Sequence, residues 1–262
     1  MGSATTQALA ATTSALTAAP GVDLGVAREL FAAVRTLAGS SQLSGALSDA
    51  SAPAEARRKV VSSVFGGYSA GTVAVLDAAV AQRWSSADDL ISGIEEAGVR
   101  AAAIAEPQVD LEAELFSVAR TIAANPELEL ALGSRLGDSA AKGALVENLL
   151  NGRAAEATTI VVSSLVQIPR ERRVRSMLSR ALRVVADQRG RAVATVFAAA
   201  DLTDEQSSRL QSTLAARYGT EVSLNVVVDP AVVGGVRIEI GDDVIDATVS
   251  SRLGDLRQRL AG

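Results

Sequence analysis

Three pairs of neighbouring carboxylates are the first residues that could perform chemistry: Asp88-Asp89, Glu95-Glu96 and Asp242-Asp243. Paired acids act as general acid and base, or bind a metal ion, only when their oxygens converge on one atom. Consecutive side chains on a helix diverge by about 100°, and the tip of a tight turn faces water, so neither arrangement brings the pairs together. We therefore predict that all three pairs are solvated surface, with no catalytic residue and no metal site among them.

The chain contains no histidine and no cysteine. It therefore lacks the commonest general base and metal ligand, and it has no thiolate or disulfide chemistry. No G-x-x-x-x-G-K-[ST] loop occurs, and the pair Gly234-Gly235 precedes a predicted strand, so its amides would not converge on a phosphate. These features favour a binding or structural role over an enzyme, with no cofactor and no small-molecule substrate.

A basic segment between positions 166 and 191 holds eight arginines and two acidic residues, in a chain whose net charge is -5. Two interpretations stay open: a face that is solvated or contacts the acidic remainder of the chain, or a docking surface for an acidic partner. The arginines that would contact such a partner are Arg170, Arg172, Arg173 and Arg175. A nucleic-acid ligand is disfavoured, because the net charge is negative and no aromatic residues interleave with the arginines to stack bases.

The elements that must position these residues are of two kinds: the chain is mainly helical in pattern, but the stretch from Val222 to Gly241 follows the period of strands. Apolar residues alternate over 222–228 and again over 236–240, which is typical of half-buried strands. Asp229-Pro230 ends the first run, because proline has no N–H and a fixed φ. The glycine at 241 predicts a tight hairpin into a third strand over 244–249.

Two further elements precede these strands. The segment 192–200 predicts a strand, and the capping box Thr203-x-x-Gln206 predicts a helix that ends near Tyr218. A last helix follows the third strand and carries apolar residues at a 4-3-4 spacing, namely Val249, Leu253, Leu256 and Leu260. Packing on its own sheet and docking of a partner helix are both open for this seam, with Leu256 and Leu260 as candidate partner-binding residues.

The ordered residues of this region resemble the C-terminal signature of the delta subunit of bacterial F-type ATP synthase, whose mitochondrial counterpart is the oligomycin-sensitivity-conferring protein. That signature is a strand, an acidic residue, Pro, then Gly-Gly-Val-x-Ile-x-x-Gly and an Ile-Asp-x-(Ser/Thr)-Val-x-x-Arg-Leu helix start. The resemblance implies structural roles for the matching residues. They are Asp229, Pro230, Gly234, Gly235, Val236, Ile238, Gly241, Ile245, Asp246, Arg252 and Leu253.

The resemblance also implies a function. A delta subunit is a non-catalytic stator piece that caps the catalytic head by binding N-terminal helices of the alpha subunits, while its C-terminal domain grips the b subunits of the peripheral stalk. Such a protein has no small-molecule substrate and lies at the cytoplasmic face of the cell membrane, held there by its partners. The alternative is a helical-repeat adaptor that binds partner helices outside bioenergetics.

An internal repeat organises the chain before residue 190. The sequence Leu30-Phe31-Ala-Ala-Val-Arg-Thr-Leu-Ala returns 85 residues later, from Leu115, as Leu-Phe-Ser-Val-Ala-Arg-Thr-Ile-Ala, and after a one-residue slip the match continues to the end of the module. Residues of about 24–105, the first copy, and 109–189, the second copy, are thus predicted to share one helical fold. The delta-subunit pattern has one such module, so the first copy is an addition, and which copy binds alpha stays open.

The repeat also resolves an ambiguous segment. Residues 158–168 are rich in β-branched side chains and would suit a buried strand. Their counterpart over 72–81 is alanine-rich and helical by propensity, so we predict a helix in both copies.

We therefore predict a mainly α chain with a smaller α+β part: two tandem helical-bundle modules followed by a small C-terminal mixed α/β domain. The predicted boundaries are 1–106, 107–190 and 191–262. No apolar run reaches the roughly 20 residues that a membrane span requires, and the N-terminal segment lacks the charged start of a secretory signal.

Overall fold

The computed structural model describes residues 2–134, 137–170, 172–241, 243–249, 251 and 253. This part of the chain is mainly helical with one small sheet, as predicted, and it forms two compact units that meet in sequence at Val185 and Ala186. The helices before the sheet are α1 (Ser3–Ala18), α2 (Leu24–Ala38), α3 (Ser41–Ser48), α4 (Ala54–Phe65), α5 (Ala70–Ala81), α6 (Ala87–Ala105), α7 (Leu111–Ala124), α8 (Pro126–Gly133), α9 (Ser139–Leu150), α10 (Glu156–Gln167) and α11 (Val174–Gln188).

The helices of the two copies follow the same order. Helices α2 to α6 correspond to α7 to α11, and α4, α5, α9 and α10 each have 12 residues. The β-branched segment is helix α10, as the repeat indicated. Both copies lie in the first compact unit, apart from residues 186–189 at the end of the second copy, and their division into separate domains stays a prediction.

One tertiary contact recurs in both copies. Glu29 of α2 accepts hydrogen bonds at the start of α5, from the Ser69 amide at 3.0 Å and the Thr72 hydroxyl at 2.6 Å. Eighty-five residues later, Glu114 of α7 accepts the Ala155 amide at 3.0 Å and the Thr158 hydroxyl at the start of α10. The first amides of a helix have no hydrogen-bond partner within that helix. Each glutamate therefore accepts a hydrogen bond from an amide that the neighbouring helix leaves unpaired.

Aromatic side chains fill the core of the first copy. Phe31, Phe65 and Trp84 are all buried there, and the indole N–H of Trp84 donates to the Ala79 carbonyl at 2.8 Å. Two glycines of α6 make room for the rings.

A Cβ on Gly93 would lie 2.2 Å from the Trp84 ring, and one on Gly98 would lie 3.2 Å from the Phe31 ring. The slipped repeat places Met177 and Leu182 at the corresponding positions of the second copy, so that copy lacks this ring-on-glycine packing.

The second unit contains a four-stranded sheet in the order β2-β1-β3-β4. Its strands are β1 (Arg191–Ala198), β2 (Glu221–Val228), β3 (Val236–Ile240) and β4 (Asp243–Asp246). Helix α12 (Asp204–Tyr218) connects β1 to the parallel strand β2, and it begins with the predicted capping box, in which Thr203 and Gln206 bond each other's backbone. β3 is antiparallel to β1 and to β4.

The third predicted strand is shorter than expected. It ends at Asp246 instead of Val249, because the Asp246 carboxylate accepts the Thr248 amide at 2.9 Å and turns the chain. The Thr248 hydroxyl then accepts the Ser251 amide at 3.2 Å, which satisfies a donor at the start of a helix.

Candidate partner-binding sites

The glycine pair forms a tight corner between β2 and β3. Gly234 and Gly235 have φ values of 65° and 78°, in the left-handed region that favours glycine. A Cβ on Gly235 would lie 2.3 Å from the Ala247 carbonyl oxygen, because the segment after β4 passes directly against the pair. The Val249 amide donates to the Gly234 carbonyl at 3.1 Å and fixes that segment in place. The local structure therefore requires glycine at both positions.

The other signature residues support this corner. The Asp229 amide donates to the Ala198 carbonyl at 2.8 Å, and its carboxylate accepts the Ala231 amide at 2.9 Å across Pro230. Gly241 has a φ of 58° at the hairpin tip. Ile238 lies in the sheet core, with Val236 and Ile245 packed against it. The signature residue Arg252, and Leu256 and Leu260 of the predicted seam, lie outside the described residues.

Aliphatic side chains are exposed beside the corner. Val233 is 63% exposed, and Val249 and Leu253, one helical turn apart, are also exposed. A Cβ on Gly234 would lie 3.0 Å from Val249, so Val233 and Val249 flank the same point of the backbone. We name Val233, Val249 and Leu253 the corner patch. Exposed apolar side chains at such a corner are candidates for a contact surface with a partner.

The arginine segment is only partly available to a partner. Arg172 binds the Glu95 carboxylate through both terminal nitrogens, at 2.7 and 2.8 Å, and Arg170 approaches the same carboxylate at 3.3 Å. Glu95 is only 5% exposed, so the prediction that Glu95-Glu96 is solvated surface was wrong. Burial lowers the pKa of Arg170, and the Glu95 carboxylate opposes that shift.

Glu96 is engaged in the same way. It accepts Arg100 at 2.8 Å within α6 and Arg180 of α11 at 3.3 Å. The two glutamates of α6 thus connect the first copy to the basic segment of the second. This confirms, for Arg170, Arg172 and Arg180, the interpretation that the arginines contact acidic residues of the same chain.

Arg173 and Arg175 lie closer to the surface. Arg173 is exposed, and Arg175 pairs with Glu129 at 3.0 Å with about half of its own side chain in solvent. The role of the four predicted arginines in binding a partner stays a prediction. Of the other residues in the three acidic pairs, Asp88 and Asp243 are exposed, Asp89 accepts the Thr5 hydroxyl at 3.1 Å, and Asp242 lies outside the described residues. Within the described ranges no cluster of three or more potential metal-ligating side chains occurs, and no helix is long and apolar enough to cross a membrane.

An apolar groove in the second copy was not anticipated from the sequence. It encloses about 280 Å³ between α7, α8, α9 and α10. Its aliphatic lining residues are Val118, Ile122, Leu128, Leu132, Val146, Leu149, Leu150 and Val162. Glu114, Ser117, Thr121 and Arg153 contribute polar atoms to the same groove.

The first copy differs at the corresponding place. The 85-residue offset puts Phe65 opposite Leu150, and Phe65 is only 1% exposed, with its ring centroid 5.5 Å from that of Tyr68. Leu150 is half-buried. A comparison of residue size at these two positions of the repeat is the signal that would have pointed to the groove.

Comparisons with a family model and with individual relatives agree on one family. A model described as ATP synthase delta (OSCP) subunit matches residues 96–260. The ATP synthase subunit delta of Leifsonia xyli subsp. xyli is 47% identical over 264 residues, covering 100% of both chains. That of Streptomyces coelicolor is 38% identical, covering 100% of this chain and 98% of its own. A chain of the Toxoplasma gondii mitochondrial ATP synthase hexamer is 20% identical, with a TM-score of 0.39 and coverage of 64% of this chain and 97% of its own, a likeness too low to support an argument.

Proposed function

The chain belongs to the family of ATP synthase delta (OSCP) subunits, and from this premise we propose that it joins the alpha subunits of the catalytic head to the b subunits of the peripheral stalk. As a delta subunit it is a non-catalytic stator component of the ATP synthase. The observation that carries the proposal is full-length similarity to delta subunits.

The proposed mechanism is mechanical. Rotation of the central stalk applies torque to the catalytic head, and a joint that holds the head still converts that torque into changes at the nucleotide sites. The chain serves this purpose if each end binds its partner and the helices between transmit force without yielding. The buried pairing of Glu95 with Arg172, which connects the two helical copies, supports such a stiff connection.

At the head, the helical copies bind N-terminal helices of the alpha subunits. Short helices packed in bundles offer grooves for an amphipathic helix, whose apolar face supplies most of the contact. The first copy, residues 1–106, lengthens this grip beyond the single module of the family pattern, and residues 107–190 form the module common to the family.

At the stalk, the C-terminal domain, residues 191–262, binds the b subunits. The exposed side chains of the corner patch support this assignment, because they lie beside the family signature and two of them, Val249 and Leu253, belong to the predicted apolar seam. Through these contacts the subunit lies at the cytoplasmic face of the cell membrane as a peripheral component.

The test is affinity purification of the tagged protein from detergent-solubilised membranes, with co-purifying chains identified by mass spectrometry. We expect the alpha, beta and b subunits. Recovery of none of them with the bait intact would contradict the proposed joint and favour an adaptor outside bioenergetics. A Val249→Asp/Leu253→Asp double variant should lose b and keep alpha, since both substitutions lie in the C-terminal domain and outside the helical copies.

A further inference from the structure

A second groove, of basic character, opens between helix α8 and the residues that lead into α11. It encloses about 480 Å³. Arg172, Arg173 and Arg175 line it against a single acidic residue, Glu129, and Leu130 of α8 contributes an aliphatic side chain. The charged side chains of the lining therefore sum to +2. We name this site the arginine groove.

The three arginines differ in how much of their charge is already paired. Both terminal nitrogens of Arg172 bond the Glu95 carboxylate, so this charge is neutralised within the chain. Arg175 pairs with Glu129 at 3.0 Å, but about half of its side chain is in solvent. Arg173 is exposed and has no hydrogen bond or ion pair with any residue in the described ranges. The groove therefore offers one unpaired guanidinium and a second that an incoming carboxylate can share.

An apolar side chain lies beside these charges. Leu130 is 75% exposed, more than any other large aliphatic residue in the part of the chain that the structure describes. A small anion such as phosphate would leave this side chain in water. A peptide segment with carboxylates and one aliphatic side chain would contact both the leucine and the arginines, and arginine is enriched at protein interfaces. The lining therefore favours a protein partner over a small anion.

The first copy has the opposite charge at the equivalent positions. In the slipped part of the repeat, Asp88 and Asp89 correspond to Arg172 and Arg173. The position of Leu130 is Gly45 in the first copy. The shared helical fold thus requires neither the arginines nor the leucine, because the first copy forms the same helices without them.

We propose that the arginine groove docks an acidic segment of another subunit of the ATP synthase. Carboxylates of that segment bind Arg173 and Arg175, and one of its aliphatic side chains covers Leu130. The inference rests on the proposed place of the chain in the stator, which makes a synthase subunit the source of the segment. It adds a contact based on charge, which salt weakens, to contacts that are mainly apolar.

A crosslink identifies the occupant. The chain has no cysteine, so Leu130→Cys accepts a single benzophenone maleimide label and leaves the arginines of the groove in place. Arg183→Cys is the control, because Arg183 is exposed on α11 and lies outside the lining. Each labelled chain is added to membranes depleted of this subunit and irradiated, and crosslinked peptides are identified by mass spectrometry. We expect position 130, but not position 183, to crosslink to a segment of another subunit with net negative charge.

The crosslinked segment, made as a synthetic peptide, then measures the contribution of the arginines. We expect Arg173→Glu to weaken its binding to the full-length chain at least about tenfold and Arg183→Glu to change it less than about twofold, since a reversed charge repels only nearby carboxylates. Leu130→Ser should weaken binding by a smaller factor. Added salt should weaken binding to the unmodified chain more than binding to Arg173→Glu. Isothermal titration calorimetry measures the affinities, and far-UV circular dichroism verifies that each variant is folded.

The outcomes distinguish this inference from the proposed function. If position 130 gives no crosslink beyond that of position 183, or crosslinks only to a segment without net negative charge or to another copy of this chain, the inference is overturned while recovery of alpha and b still supports the joint. Equal binding of the peptide to Arg173→Glu and to the unmodified chain would also overturn it. If the unlabelled chain does not enter the synthase, the proposed stator joint fails and the inference fails with it.

Discussion

The two helical copies have the same order of helices but fill their interiors differently. The first copy holds four of the chain's seven aromatic residues, namely Phe31, Phe65, Tyr68 and Trp84, whereas the second holds only Phe116. In the first copy two of these rings rest on glycines of α6, at distances that leave no room for a Cβ on Gly93. In the second, Phe116 is the counterpart of Phe31, but Leu150 replaces Phe65, Met177 and Leu182 replace the two glycines, and a groove remains open.

This difference shows how a duplicated module can separate two tasks. Aromatic rings bury a large apolar area and stabilise the bundle that contains them. A bundle of leucine and valine that leaves a groove is less completely packed, but it offers apolar surface to a partner. The part of the chain that the family model matches begins at residue 96, so it includes the second copy and not most of the first.

The largest expected effect tests the packing of the first copy. Phe65→Ala should lower the free energy of unfolding by about 3–5 kcal/mol, because it leaves a cavity in a closed core. Leu150→Ala in the second copy should lower it by only about 1–2 kcal/mol, because that side chain already borders open space. Urea denaturation followed by far-UV circular dichroism, with fluorescence of the single tryptophan Trp84 for the first copy, measures both. Equal losses would remove the distinction between the copies.

The connection between the copies gives the next effect. Glu95→Gln removes the charge that two arginines contact and should cost about 2–3 kcal/mol, less than for a fully buried pair because both arginines are partly solvated. Glu129→Gln, which disrupts the more exposed pair with Arg175, is the control and should cost at most about 1 kcal/mol. Urea titrations of both variants measure the two losses of stability. If Glu95→Gln were as mild as the control, the ion pairs would not hold the copies together.

A third variant transfers the aromatic residue of the first copy to the second. Leu150→Phe should place a ring in the groove and raise the free energy of unfolding by up to about 1 kcal/mol, because it fills open space beside the core. Thermal unfolding measures the change. A loss of stability greater than about 1 kcal/mol would indicate that no space is open there, and the comparison of the copies would have to be revised.

The smallest effect concerns the repeated glutamate cap. Burial raises the pKa of Glu29, but hydrogen bonds from Ser69 and Thr72 more than offset it, so the pKa lies below the usual 4.5. A carboxyl with a lowered pKa in the folded state stabilises the protein above its unfolded pKa, and this contribution is lost as the pH falls through the folded pKa.

We therefore expect Glu29→Gln to lower the free energy of unfolding by about 0.5–1 kcal/mol near neutral pH, and by progressively less as the pH falls below about 4.5. Urea midpoints measured across this pH range report the difference. Glu114→Gln removes the corresponding acceptor from the second copy and should cost a similar amount near neutral pH. If only one of the two variants lowered the free energy of unfolding, the glutamate contact would stabilise that copy alone.

The sequence alone determined most of the fold, because the signals are local. The internal repeat predicted one helical fold for both copies, and it decided the helical state of α10 against the preference of its β-branched residues. The glycine corner was also predictable, since two adjacent residues with positive φ at a sharp turn require glycine. The end of β4 was not predictable, because the turn depends on a hydrogen bond to the Asp246 carboxylate, and the sequence would also have allowed the strand to continue past Asp246.

Only the tertiary structure decided which surfaces are free. The sequence shows that Glu95 and Arg172 carry opposite charges, but not that residues 77 apart meet in a buried pair, so the acidic pair was assigned to solvent and the arginines were left with two interpretations. The groove, likewise, depends on the size of one side chain relative to neighbours from four helices. Local periodicity specifies which face of a helix is apolar, whereas the distances between faces, which determine whether a charge is paired or a groove is open, arise only when the helices pack.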